Sequence, residues 1–228
     1  MKVGILGSGI VGQTLGAKLV SQGHDVVLGT RDPTRMDTPR GMGGMGAPLG
    51  KWLQEGGKGA RVGTFQDAAR HGELIIHATA GEIALNVLQM AGKENLRGKV
   101  ILDTSNDLDL SRGFPPSTRA TDYPTGSLGV KIQQAVPDAH VVKALNTMTA
   151  YLMVAPQQLA GGDHTVFISG NDAGAKATVT KLLQSWGWKD VFDTGDINTA
   201  TGPEMLFALW TKAFGKLGMV PFNFKVVR

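Results

Sequence analysis

Gly7-Ser8-Gly9-Ile10-Val11-Gly12 places three glycines directly after an apolar run, Val3-Gly4-Ile5-Leu6, and at the start of a stretch with helical spacing at Ile10, Leu15 and Leu19. Between a strand and a helix, this spacing suits the binding of a diphosphate. Gly7 permits the tight turn, Gly9 lets a pyrophosphate approach the backbone, and Gly12 lets the helix pack against the strand; Gly16 extends that small face by one turn. The N–H groups at the helix start have no partner within the helix and are free to meet the phosphates. A dinucleotide site on Gly7, Ser8, Gly9, Ile10, Val11 and Gly12 is therefore predicted.

The identity of the dinucleotide is decided at the end of the second strand, where an acid would take the ribose 2′-hydroxyl of NAD and an arginine the 2′-phosphate of NADP. Here the chain reads Leu28-Gly29-Thr30-Arg31-Asp32-Pro33. Thr30 stands in the acid's place and can donate to a phosphate; Arg31 can pair with it and stack on the adenine, and Arg35 lies beyond as a second cation. Asp32 competes as a ribose partner, but is read instead as the cap of a following helix with Pro33 in its first turn. NADP is preferred over NAD.

The nicotinamide half should lie across the carboxyl ends of the neighbouring strands. Those ends are Ala78-Thr79-Ala80-Gly81, Asp103-Thr104-Ser105-Asn106 and Lys143-Ala144-Leu145-Asn146-Thr147-Met148. For Thr79, Ser105 and Thr147, ordinary strand-end chemistry and cofactor contact both remain open. His77 lies inside an apolar strand and reads as a packed histidine. The other histidines lack metal-ligand spacing, so no metal site is expected, and no Gly-x-Ser-x-Gly elbow occurs. Trp186 and Trp188 read as packing residues.

Strand-length apolar runs recur at Val3–Leu6, Asp25–Leu28, Arg61-Val62, Leu74–Ile76, Val100–Leu102, His140–Val142 and Thr165–Ile168, with helical spacing between most of them. Continuous apolar strands alternating with helices imply strands covered on both faces. The fold class is α/β, a Rossmann-type, doubly wound, mostly parallel sheet. The pattern changes near Thr149 to one more strand-helix-strand unit and a terminal helix opening at Gly202-Pro203-Glu204, which gives a dinucleotide-binding domain over 1–149 and a small C-terminal α/β extension over 150–228. The terminal helix is expected to share one apolar face through Leu206, Leu209, Ala213 and Leu217, and it suits either a homodimer or packing within the chain. Residues 103–129, with Pro115-Pro116 and Pro124, read as a long loop or lid, and 41–63 as a glycine-rich surface connection.

Composition narrows the function classes. Of 228 residues 32 are Gly, without the Pro content or period of collagen, and 42% hydrophobic content excludes a disordered chain. A net charge of +4 comes from scattered Lys and Arg, which argues against nucleic acid and fits a phosphorylated cofactor. The absence of Cys removes disulfides and thiolate chemistry. No apolar stretch reaches the roughly 20 residues of a membrane span, and a cytoplasmic location is expected.

These residues resemble the NADPH-dependent coenzyme F420 reductases (F420H2:NADP oxidoreductases) and the related reductase domain of the STEAP metalloreductases. The resemblance rests on MKVGILGSGIVGQTLGAKLVSQGHDVVLGTRDP, VVKALNTM, VFISGNDAGAKA, the GP of the last helix and the FKVVR tail. It implies that Thr30, Arg31 and Arg35 bind the 2′-phosphate and Ser8 to Val11 the pyrophosphate. It further implies that Ala78, Thr79, Ala80, Ser105 and Asn106 border the nicotinamide, while Asn146, Thr147, Met148, Gly202 and Pro203 frame the deazaflavin. The strand ends and the last helix depart from the usual pattern of that family, which keeps a flavin, quinone or ferric reductase as an alternative, and a non-catalytic NADPH sensor as a third. Hydride transfer between two rings is a matter of positioning, so no catalytic side chain is expected.

Overall fold

In a computed structural model the described residues are 1–109, 111, 113, 116–118 and 126–228. They form two compact units, residues 1–102 with 135–139 and residues 103–134 with 140–228.

The first unit is built on β1 (Lys2–Leu6), β2 (Asp25–Thr30), β3 (Arg61–Thr64), β4 (Leu74–His77) and β5 (Val100–Asp103), whose last residue counts with the second unit. The strand order is β5-β4-β1-β2-β3, with β1 parallel to β2 and β4 and β2 parallel to β3. This is the Rossmann order 3-2-1-4-5, whose strand order reverses between β1 and β4. Helices α1 (Ile10–Ser21), α2 (Leu49–Gln54), α3 (Phe65–His71), α4 (Gly81–Ala91) and α5 (Lys93–Leu96) complete the unit. The sheet is covered closely on both faces. A Cβ at Gly4 would meet the Ala68 carbonyl oxygen of α3 at 2.0 Å, while Gly16 of α1 lies against the Ile5 side chain. Val3, Ile5, Leu6, Val26, Leu28, Ile75 and Ile76 fill the core between, which explains why the strands read as unbroken apolar runs.

The second unit contains β6 (Leu108–Asp109), β7 (Ser117–Thr118), α6 (Leu128–Ala135, its last residue in the first unit), β8 (His140–Ala144), α7 (Ala150–Val154), β9 (Thr165–Gly170), α8 (Ala173–Ser185), β10 (Asp190–Asp193) and α9 (Thr201–Lys216). β9 runs antiparallel to β8 and parallel to β10, forming the expected strand-helix-strand unit. Asp172 caps α8 by accepting from the Ala175 N–H at 2.6 Å. The expected break at Thr149 falls inside this unit.

Three expectations are corrected in whole or in part. No helix starts at Asp32: its carboxylate accepts from the Thr34 N–H and hydroxyl at 2.9 and 2.6 Å, closing a turn, and Pro33 continues that turn. The 41–63 connection lies largely at the surface, as expected, but it is not irregular throughout: α2 lies inside it, with Leu49 and Trp52 buried. In α9 the buried face is Pro203, Glu204, Phe207, Trp210 and Thr211, whereas Leu209 and Leu217 are exposed. Within 103–129, β6 and β7 pair as a short antiparallel ribbon; Pro115 and Pro124 lie outside the described residues. Trp186 and Trp188 are buried, as packing residues should be. Among the described residues no helix is long and apolar enough to cross a membrane.

Candidate functional site

The glycine turn of the first unit is shaped by contacts that exclude a side chain. Gly7 has φ +131°, and a Cβ there would lie 2.3 Å from the Ala78 carbonyl oxygen, so the ends of β1 and β4 meet over this residue. A Cβ at Gly12 would lie 2.0 Å from the Gly7 carbonyl oxygen, so α1 sits directly on the turn. α1 starts after Gly9 with no side-chain cap and no acid in its first turn, and Ile10 is exposed. Its first N–H groups and its dipole favour an anion there.

The end of β2 adjoins this turn. The Ser8 hydroxyl donates to the Thr30 hydroxyl at 3.2 Å, so the two residues assigned to different phosphates are neighbours. Arg31 and Arg35 are exposed. A third cation, Arg40, joins them: its Nη2 donates to the Asp32 carbonyl at 3.4 Å, and its buried Nε has no partner. Burial, then the charge of Arg35, lowers the Arg40 guanidinium below its ordinary pKa, with Asp32 opposing. Gln13, buried in α1, ties the turn to the segment beyond β2; its amide donates to the Ser8 carbonyl at 3.0 Å and exchanges hydrogen bonds with Ala47 at 2.8 and 3.0 Å. An uncapped helix start, a turn that only glycine fills, and three arginines at the ribose end fit a 2′-phosphorylated dinucleotide.

On β4, His77 is fully buried, with its Nε2 hydrogen-bonded to the Thr79 hydroxyl at 2.9 Å. Ala78, Thr79 and Ala80 are half-buried after it, beside Gly7.

The second unit gathers its strand-end residues around a buried ion network. The Lys143 ammonium lies 2.9 Å from Asp103 and 3.1 Å from Glu204, and it donates to the Ser105 carbonyl at 2.5 Å. Asp103 also accepts from the Ser105 hydroxyl and N–H, and Glu204 accepts from the N–H groups of Leu128 and Gly129 at 2.9 and 2.8 Å. Burial opposes the charge on Lys143, but Asp103 and Glu204 outweigh it and raise the pKa of the amine. Next to this network Asn106 donates to the Asn146 carbonyl at 2.8 Å, and the Asn146 amide donates to Asn106 at 3.1 Å and to the Pro203 carbonyl at 3.2 Å. Leu145, with φ +63°, makes the unusual left-handed step that precedes Asn146. Thr147 and Met148 are buried, and Gly202 is exposed with open space where a Cβ would be.

Of the residues singled out from sequence, the structure joins Ser8 with Thr30, and Asn106 with Asn146 and Pro203, in local groups; Gln13, Arg40 and the ion network were not singled out. A signal for the network was available, since a charged residue in the middle of Val141-Val142-Lys143-Ala144 must find an opposite charge if the strand is buried. Nothing in the sequence marks Gln13.

The model of the family described as NADP oxidoreductase, coenzyme F420-dependent, matches residues 2–107. A crystal structure from Arthrobacter sp. FB24, described provisionally as an F420-dependent NADP-reductase, is 46% identical, with both chains covered in full and a TM-score of 0.91. Rat Metalloreductase STEAP3 is 28% identical over 205 residues, which is 90% of this chain and 36% of that protein; the chain therefore spans about a third of the length of that curated relative. A hypothetical protein from Sinorhizobium meliloti, 23% identical over 89% of each chain with a TM-score of 0.67, shares the fold. The Rossmann strand order, the glycine turn with its arginines, and full-length similarity at 46% identity agree: the chain belongs to the family of coenzyme F420-dependent NADP oxidoreductases.

Proposed function

We propose that this NADP-dependent oxidoreductase transfers a hydride between NADPH and a deazaflavin of the F420 type. NADPH supplies the hydride; the chain binds, orients and shields. The observation that carries the reading is the state of the acids and bases at the strand ends. Lys143, Asp103 and Glu204 are buried and engaged with one another, and His77 is buried against Thr79, while the hydrogen-bonding groups beside them are amides and hydroxyls. Strand ends of this kind in each unit suit transfer between two rings, which needs alignment and no proton donor from the protein.

The residue assignments belong to this reading. In the first unit Ser8 to Val11 hold the pyrophosphate, Thr30, Arg31 and Arg35 the 2′-phosphate, and Ala78 to Ala80 contact the nicotinamide. In the second, Ser105, Asn106, Asn146, Thr147, Met148, Gly202 and Pro203 serve the reacting rings. A binding segment over 1–149, an acceptor-completing segment over 150–228, a cytoplasmic location and a homodimer are parts of the same proposal. Anaerobic mixing with NADPH and oxidised F420 should bleach the deazaflavin absorbance.

The STEAP similarity favours one alternative, an NADPH-dependent flavin, quinone or ferric reductase. It would be supported if F420 stayed oxidised while a flavin or ferric chelate was reduced. Tight NADPH binding without turnover on any acceptor would instead indicate a sensing module.

A further inference from the structure

The connection between β2 and α2 is a strap seated on the glycine turn. Arg40 and Gly46 pair across it, each N–H donating to the other's carbonyl at 2.8 Å. A Cβ at Gly41, where φ is +75°, would come within 2.9 Å of the Gly9 Cα. One at Gly46 would come within 3.0 Å of the Ile10 nitrogen and 3.1 Å of the Gly9 carbonyl carbon. Ala47, at the end of the strap, is held by Gln13, which also holds Ser8. These glycines therefore let one backbone lie directly on another, and the place where they do so is the start of α1.

The strap carries Arg40 to the end of β2. Its guanidinium shares that neighbourhood with Arg35, and the acid between them, Asp32, already accepts two hydrogen bonds from Thr34. The Nη2 contact to the Asp32 carbonyl is long, and the buried Nε lacks a partner. Buried N–H donors are nearly always satisfied, and two guanidiniums beside one engaged carboxylate favour an added anion with several acceptor oxygens.

We propose that Arg40 is a specificity residue for the 2′-phosphate of NADP(H), and that the seating of Gly41 and Gly46 on Gly9 and Ile10 holds it in place. This deepens the NADP reading and rests on it. Arg40 is only half-buried, so its replacement should leave the fold intact.

The test is calorimetric titration with 2′,5′-ADP (adenosine 2′,5′-bisphosphate) and 5′-AMP, which differ only in the 2′-phosphate and require no acceptor. The wild-type chain should prefer 2′,5′-ADP. Arg40→Gln should weaken 2′,5′-ADP by about tenfold or more, the loss of a charge-assisted hydrogen bond, and leave 5′-AMP unchanged. Arg40→Lys, which keeps the charge and loses the fork, should fall between. Gly46→Ala, which lifts the strap, should lower the same preference. An Arg40→Gln variant with the wild-type ratio overturns the role of Arg40, and an unchanged ratio in Gly46→Ala overturns the role of its seat. A wild-type chain without preference would overturn the NADP reading and this inference with it.

Discussion

At the scale of residues, the proposed selectivity for the phosphorylated cofactor rests on the end of β2. Thr30 is buried and bonded to Ser8, so it offers no carboxylate to a ribose diol, while Arg31 and Arg35 extend into solvent. Arg31→Ala should therefore raise the KM for NADPH about tenfold or more and barely change that for NADH. Steady-state kinetics with each cofactor would measure this, and an unchanged preference would sink the assignment. Asp32, read from sequence as a helix cap, shows how far a residue can be read alone. An Asp before Pro accepts nearby N–H groups in a turn as readily as at a helix start, and the strap's contacts with Gly9 set the path of the chain beyond it.

At the scale of elements, the ion network joins the ends of β5 and β8 to the starts of α6 and α9 through three side chains. Lys143→Met would leave two buried carboxylates facing each other and should cost about 3–5 kcal/mol in denaturant unfolding. The same network has a pH signature. The folded pKa of Lys143 is raised, so its contribution is complete below about pH 10, the range in which an unfolded lysine is protonated. It is lost only as pH rises through the raised folded value. The wild-type Tm should fall over that alkaline window, and Lys143→Met, already less stable, should fall less steeply there; parallel curves would show that Lys143 does not titrate in it. The strands and helices were largely legible, because their apolar runs and helical spacings reflect burial on both sheet faces. The network was not, because its three members lie 40 and 61 residues apart along the chain and only folding makes them neighbours.

For the whole molecule, the terminal helix decides what remains exposed. Its aromatic face turns inward, with Phe207, Phe214 and Phe222 stacked on Trp210 at centroid distances of 5.2, 4.7 and 5.5 Å. Met205 and Leu209 on the helix and Leu217 just beyond it are 54%, 57% and 50% exposed, the side chains that the proposed homodimer would cover. With the proposed homodimer, sedimentation equilibrium should return twice the chain mass, and Leu209→Asp should return the monomer; a monomeric wild-type chain would refute the dimer. The sequence put Leu209 on a shared apolar face without deciding whether that face packs within the chain, because an apolar helix without a sharp polar side has no unique inward direction.

The sequence by itself determined the local chemistry: a glycine turn for a diphosphate, a threonine and arginines in place of an acid, and the strand and helix pattern of a Rossmann-type fold. Each of these is written over a few adjacent residues, where backbone geometry and hydrophobic periodicity act directly. Tertiary structure decided everything that depends on distant segments meeting. It turned Gly41 and Gly46 from apparent flexibility into a seat on Gly9, brought Arg40 to the end of β2, and buried Lys143 between two acids. Close packing and charge pairing have no sequence period, so they become visible only when the chain is folded.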